Sequence, residues 1–131
     1  MKSLDFKLEN LKKAYRKLCD VCDVYDGKDD IVRDSVIQRF EFTYELSHKT
    51  LQEFMRFMGV NMENKFPRNI FRTAYANNII DDDKLWIKIM NDRNHTSHIY
   101  SEDMSDDIAF RIVNEYLPAF DKLITKIEHE M

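Results

Sequence analysis

Apolar residues recur three and four positions apart through most of the chain, and this spacing predicts helices rather than strands. Leu4, Leu8, Leu11, Tyr15, Leu18, Cys22 and Tyr25 form the first such stripe. It predicts a helix over about 3–25. Ile37, Phe40, Tyr44, Ser47, Leu51, Phe54 and Met58 form the second, over about 31–58. Pro67 suits the first position of a short third helix with Ile70, Phe71, Ala74 and Tyr75 turned inward. In a fourth helix over about 82–100, Trp86, Met90, Arg93, Ser97 and Tyr100 fall within about 80° of one another. The fifth begins after the cap-forming run Ser101–Asp106 and turns Ile108, Ile112, Tyr116, Phe120, Leu123 and Ile127 inward. Pro118 lies inside it, so a kink is expected there. The sum is an all-α protein: an antiparallel up-and-down bundle of four longer helices plus one short helix, in a single domain spanning 1–131.

Composition narrows the chemistry. Only two glycines, Gly27 and Gly59, are present, so neither G-x-G-x-x-G nor the phosphate-binding G-x-x-x-x-G-K-[ST] can be written. No cofactor is expected. Net charge is −4, whereas a general nucleic-acid binder is normally basic. Any RNA contact must come from a local patch, a dimer cleft or a basic partner. No apolar run reaches spanning length, and Met1–Phe6 lacks the layout of a signal peptide. A cytoplasmic protein is expected, with no membrane association. Cys19 and Cys22 form a C-x-x-C within the first helix. With no strand before it and no second pair, it predicts buried thiols rather than a redox or metal site.

The pattern breaks at Asp92–Tyr100. An arginine, Arg93, takes a core-type position, and a buried unpaired charge is expensive. Either a carboxylate satisfies it or the seam opens onto a cleft. Glu41 and Glu45 of the second helix are the candidate partners, unless they form a surface ladder with Lys49. Asn94 and His98, four apart, lie at the edge of the same face. Cleavage of an RNA phosphodiester without metal needs proton transfer at two oxygens and a cation near phosphorus. Histidine titrates near neutrality, and arginine offers a planar fork matched to phosphate. One chain supplies one such histidine, so acid and base together come most simply from two copies in a symmetric dimer. Equally, Arg93 can be an ion-pair member and His98 a satisfied edge residue. His95-x-x-His98 has no third ligand at a useful spacing, so no metal site is expected.

The pattern Arg93-Asn94-(x)3-His98-Ile99-Tyr100 resembles the R-x4-H-x-Y signature of the HEPN superfamily. Further segments extend the likeness over nearly the whole chain: Leu8–Leu11, Arg39–Glu45 with Lys49–Leu51, Pro67–Arg72, Trp86, Asp92–His98 and Tyr116–Pro118. Together they are similar to the branch named nucleotidyltransferase substrate-binding proteins. The resemblance implies an all-helical homodimer, encoded beside a minimal nucleotidyltransferase and associated with it. In related HepT-like toxin–antitoxin pairs the HEPN member is a metal-independent endoribonuclease. Carried over by position, Arg93, Asn94 and His98 are its catalytic residues, and Tyr100 is the tyrosine to which the transferase attaches AMP. Ser97, on the Arg93 line, and Glu45, a candidate partner of Arg93, join Tyr100 as modification or binding residues. The alternative is a non-catalytic subunit that binds nucleotide or substrate for the transferase.

Overall fold

A computed structural model describes residues 2–131, all of whose regular structure is helical. Helices α1 (Lys2–Val24) and α2 (Asp30–Phe57) are followed by the short α3 (Pro67–Ala76) and by α4 (Asp83–His95). A 3-10 turn (Thr96–His98) separates α4 from α5 (Glu102–Arg111). A π-turn (Ile112–Tyr116) then joins α5 to α6 (Leu117–Glu130). The sequence supplies the boundaries. Asp29 accepts from the backbone N–H groups of Ile31 and Val32, Asp82 from Leu85, and Ser101 from Met104, satisfying donors that a helix start leaves open. Gly27 and Gly59 adopt positive φ, 85° and 78°, where the chain leaves α1 and α2.

Side-chain contacts fix the topology. Arg39 donates to the carbonyl of Lys17, and Thr50 to that of Lys7, so α2 runs antiparallel to α1. Phe40 stacks on Tyr116 while Arg33 pairs with Glu102 and Asp106, so the α5–α6 rod runs parallel to α2. Lys88 pairs with Glu115 and Trp86 meets Phe120 edge-on, which sets α4 antiparallel to that rod. The bundle is therefore the expected up-and-down one.

One contiguous core fills it. Leu4, Leu11, Leu18, Phe40, Leu51, Phe54, Phe71, Phe120 and Ile127 are all at least nearly inaccessible. A row of rings crosses the core, Phe120 to Trp86 at 5.5 Å, Trp86 to Phe71 at 5.2 Å, Phe71 to Tyr44 at 6.2 Å and Tyr44 to His48 at 5.3 Å; aromatic pairs at such separations add to the area they bury. Cys22 is buried and Cys19 half-buried, both free. Burial pushes the Cys22 thiol up to about 12, so it sits in the core as a neutral small side chain.

Four expectations are corrected. The fourth helix ends at His95 rather than near 100. Thr96 turns its hydroxyl onto the carbonyl of Arg93, 2.6 Å away, a side-chain bond that competes with helix continuation. Ile99 is then extended, at φ −85° and ψ 121°. Ser97 and Tyr100 therefore do not prolong the helical face of Arg93. Tyr75 and Met58 are exposed; Met55 takes the core position on α2. The disturbance expected at Pro118 is instead the π-turn just before it. Leu117 donates five residues back to Ile112, which accommodates a residue that has no N–H and crowds the preceding turn.

A buried carboxylate fastens α4 to the rod. Asp92 accepts two bonds from Arg111, at 2.7 and 3.0 Å, and one from the hydroxyl of Tyr116. Ile89, three residues earlier, is fully buried, so Asp92 is on the inward face and Arg93 is turned toward α2. Asp92→Ala strands a tyrosine hydroxyl and most of a guanidinium, and is expected to cost about 3 kcal/mol. Urea denaturation checks this; a loss below about 1 kcal/mol would contradict the anchoring role.

Candidate functional site

Arg93 is half-buried at the last turn of α4, between two carboxylates of α2. Its Nη1 lies 3.1 Å from Glu41 Oε2, and its Nε lies 3.4 Å from Glu45 Oε1. Glu41 and Glu45 are one helical turn apart, so α2 presents both along one edge. They turn toward α4 rather than forming a ladder with Lys49. The Nε contact lacks the alignment of a hydrogen bond, so Glu45 attracts Arg93 mainly through charge. Nη1 also donates to the hydroxyl of Thr96 at 3.2 Å and, at 3.5 Å, to that of Ser97. Thr96 Oγ1 lies 2.7 Å from Glu41 as well; its single proton serves either Glu41 or the Arg93 carbonyl.

Behind this pair stands His48. Its Nε2 lies 3.2 Å from Glu45 Oε2 and its Nδ1 is buried without a partner. A neutral ring carrying its proton on Nε2 fits both facts, donating to the carboxylate and leaving Nδ1 as a bare acceptor. Burial lowers the His48 pKa from 6.5, against the opposing pull of the Glu45 hydrogen bond and charge. The hydroxyl of Tyr44 is likewise buried and unpartnered, and burial together with the charge of Glu45 raises its pKa. Among the described residues the buried unpartnered side-chain atoms are thus Tyr44 Oη, His48 Nδ1 and Arg93 Nε. All belong to Arg93 itself or to residues beside Glu45, and polar groups left so are uncommon in native interiors.

The remaining predicted residues are on the solvent side. Asn94 and His98 are exposed, and neither makes a hydrogen bond or ion pair within the described chain. Tyr100 is 85% exposed, on the extended link into α5. The structure therefore brings Arg93, Ser97 and Glu45 together, with Glu41 and Thr96 added. It leaves Asn94, His98 and Tyr100 open at the same end of α4. Thr96, His48 and the Asp92 anchor escape sequence reasoning. Their signals are present but slight: His48 is one turn from Glu45 and Tyr44, and Asp92 is one turn from Ile89. No group of three or more His, Cys, Asp or Glu side chains able to hold a metal occurs among the described residues. No helix among them is long and apolar enough to cross a membrane.

Comparison with known proteins places this arrangement. The model of the family described as nucleotidyltransferase substrate binding protein like matches residues 6–129. The chain belongs to this family. That agrees with the resemblance read along nearly the whole sequence. A curated relative from Haemophilus influenzae, a probable ribonuclease HepT, is 31% identical over 86 residues. That alignment covers 60% of this chain and 59% of the relative, so the chain spans somewhat over half of the relative's length. A solved structure from Thermus thermophilus is 26% identical, with a TM-score of 0.73 over 92% of this chain and 97% of that one. A tri-AMPylated HEPN toxin from Shewanella oneidensis, solved in complex with its MNT antitoxin, has a TM-score of 0.78 at 23% identity, covering 96% of each chain. At that identity the likeness is one of fold.

Burial of His48 beside Glu45 ties the stability of the Arg93 cluster to pH. A histidine whose pKa is lowered by folding contributes stability that is complete above about 6.5 and is lost as pH falls below it. Wild-type unfolding free energy should therefore drop more steeply from pH 6.5 to 5 than that of His48→Gln, which has no such titration. Parallel pH profiles for the two proteins would remove His48 from the account.

Proposed function

We propose that this chain is the HEPN subunit of a two-component system with a minimal nucleotidyltransferase, and that it cleaves RNA without a metal ion. The observation that carries the reading is the pairing of a half-buried arginine with an exposed, unpartnered histidine at the broken end of α4. Arg93 is held in place from below by Glu41 and Glu45. Its Nη1 edge faces the hydroxyls of Thr96 and Ser97, a polar rim suited to phosphate oxygens. His98 is free to take or give a proton, and Asn94 is free to orient a phosphate or the imidazole. A second copy facing the first supplies the second proton-transfer group, which is why the active form is read as a homodimer. Family membership and the relative named as a probable ribonuclease support the same chemistry.

Control falls on Tyr100. Its phenol is exposed next to the site, and AMP attached there adds a negative charge and bulk near Arg93. The AMPylated state of the Shewanella toxin, in complex with its antitoxin, supports this reading. A transferase is the partner, RNA the substrate, and no cofactor is required of this chain.

A second reading is favoured by one observation. In the free chain the charge of Arg93 is already balanced by two carboxylates, as befits a subunit that binds a nucleotide or substrate for the transferase without cutting it.

Cleavage assays separate the two. In the presence of a chelator the wild-type chain should cut RNA to cyclic-phosphate ends. His98→Ala should lower the rate by about a hundredfold or more, and Arg93→Ala by a comparable factor. Because His98 is exposed, its variant should keep wild-type stability to within about 0.5 kcal/mol. Undiminished cleavage by His98→Ala would sink the ribonuclease reading. Binding of nucleotide that survives His98→Ala but not Arg93→Ala, with no cleavage, would establish the second. Co-expression with a cognate transferase and intact-mass measurement should show AMP additions that map to Tyr100.

A further inference from the structure

Beside the Arg93 site, α2 and the segment 99–105 border an open cavity of about 560 Å³ on the surface. That size is within the range typical of small-molecule sites, roughly 300–1000 Å³. Its floor is apolar, from Ile37 and Ile99, and the exposed ring of Tyr100 forms part of its rim. Glu41 belongs to both places: it lines the cavity and pairs with Arg93 at 3.1 Å. The two sites are therefore contiguous, one side chain apart.

The polar lining has a definite chemical bias. Arg33 is buried, and its guanidinium is taken up by Asp34, Glu102 and Asp106. What it leaves for a ligand are carboxylate oxygens, since Asp34, Glu41 and Glu102 all line the cavity. Two further groups are unspent. Ser105 is 6% exposed, lines the cavity and makes no side-chain hydrogen bond within the described chain. The amide of Gln38 is exposed on the opposite wall and likewise unbonded. The Ser105 hydroxyl opens onto the cavity rather than being sealed in the interior, so it is available to a ligand. An anion would be repelled by three carboxylates facing one arginine that is already neutralised. A neutral, flat, donor-rich group would be accepted: hydroxyls and amino groups to the carboxylates, a ring against Tyr100 and the isoleucines.

We infer that this cavity is a nucleoside subsite, holding the ribose and base of a nucleotide whose phosphate lies against Arg93 on the far side of Glu41. The inference rests on the reading of Arg93 as the phosphate-holding group. Sugar hydroxyls donate to Glu41 or Glu102, as ribose hydroxyls do to acidic side chains in dinucleotide sites. The base stacks on Tyr100, and Gln38 with Ser105 reads its edge. The nucleoside can arrive on an RNA strand, next to the cleaved bond, or on an adenylate attached to Tyr100. The cavity chemistry is the same for both.

Binding measurements on the full chain test this without reading cleavage, so a catalytically silent protein can still pass and an active one can still fail. Adenosine, 5′-AMP and inorganic phosphate are titrated into wild type, Gln38→Trp and Gln38→Ala. Gln38 is exposed and unbonded, so the tryptophan fills the cavity without touching the core. The alanine removes only the amide and keeps the test sound should the larger ring disturb folding. Adenosine and AMP should bind wild type, and Gln38→Trp should weaken both by about tenfold or more, with a smaller loss in Gln38→Ala. Phosphate binding should be unchanged in either variant and lost in Arg93→Ala. Two arms identify the source. Loss of affinity for an uncleavable 2′-O-methyl oligonucleotide in Gln38→Trp assigns the subsite to the strand. Exclusion of adenosine from protein adenylylated at Tyr100 assigns it to the attached nucleotide. AMP and phosphate binding equally well, with adenosine not binding, overturns the inference; so do nucleoside affinities that ignore both Gln38 variants.

Discussion

The arrangement depends on a carboxylate that has no access to solvent chemistry. Asp92 is 6% exposed and holds Arg111 and Tyr116 at once. A buried charge of this kind is tolerated because its oxygens are filled by a guanidinium and a hydroxyl. The burial also raises the pKa of the Tyr116 phenol, with Asp92 adding to the effect, so the donor stays a donor. By locking the rotation of α4, the anchor decides where the next side chain goes. Arg93 must then leave the core seam toward α2, where Glu41 and Glu45 wait. The Arg93 end of the helix is thus oriented by a structural ion pair one residue away.

Arg93 is held in a condition suited to exchange. Its contacts with Glu41 and Glu45 are partly exposed, so they hold the side chain in place without the strength of a dry ion pair. The hydroxyls of Thr96 and Ser97 line up on the same nitrogen. Under the proposed function, an incoming phosphate would meet a guanidinium already held by its carboxylates, which lowers the entropic cost of binding. The balancing carboxylates keep the arginine from becoming an indiscriminate anion trap, in keeping with a chain whose net charge is −4.

The bundle was legible because helix spacing is a long signal, repeated over many turns and supported by caps at Asp29, Asp82 and Ser101. Arg93 was legible as a fault in that signal, and Glu41 and Glu45 as its candidate partners, with a surface ladder to Lys49 left open until the contacts decided it. What the sequence hid were decisions made by single hydroxyls and by contacts between distant segments. Thr96 ends α4 by capturing a carbonyl, an act that helical periodicity cannot register. The Asp92 bond to Arg111 spans 19 residues, and that of Arg33 to Asp106 spans 73; neither has a local signature. The role of His48 is visible only in the folded contacts, through its bond to Glu45 and its unpartnered nitrogen.

The π-turn at Ile112–Tyr116 acts as a phase correction. The one extra residue held there lets Ile108 before it, Ile112 and Tyr116 at its two ends and Phe120 after it all reach the same core. Wind the same residues as an ordinary helix and everything beyond is rotated by about 100°. Phe120 would leave Trp86, and Tyr116 would leave Asp92. The length of this segment, more than the identity of most of its side chains, therefore carries information. A further residue gained between Arg111 and Pro118, with no second π-turn to absorb it, would be felt at Arg93, although no side chain of that stretch hydrogen-bonds or pairs with it.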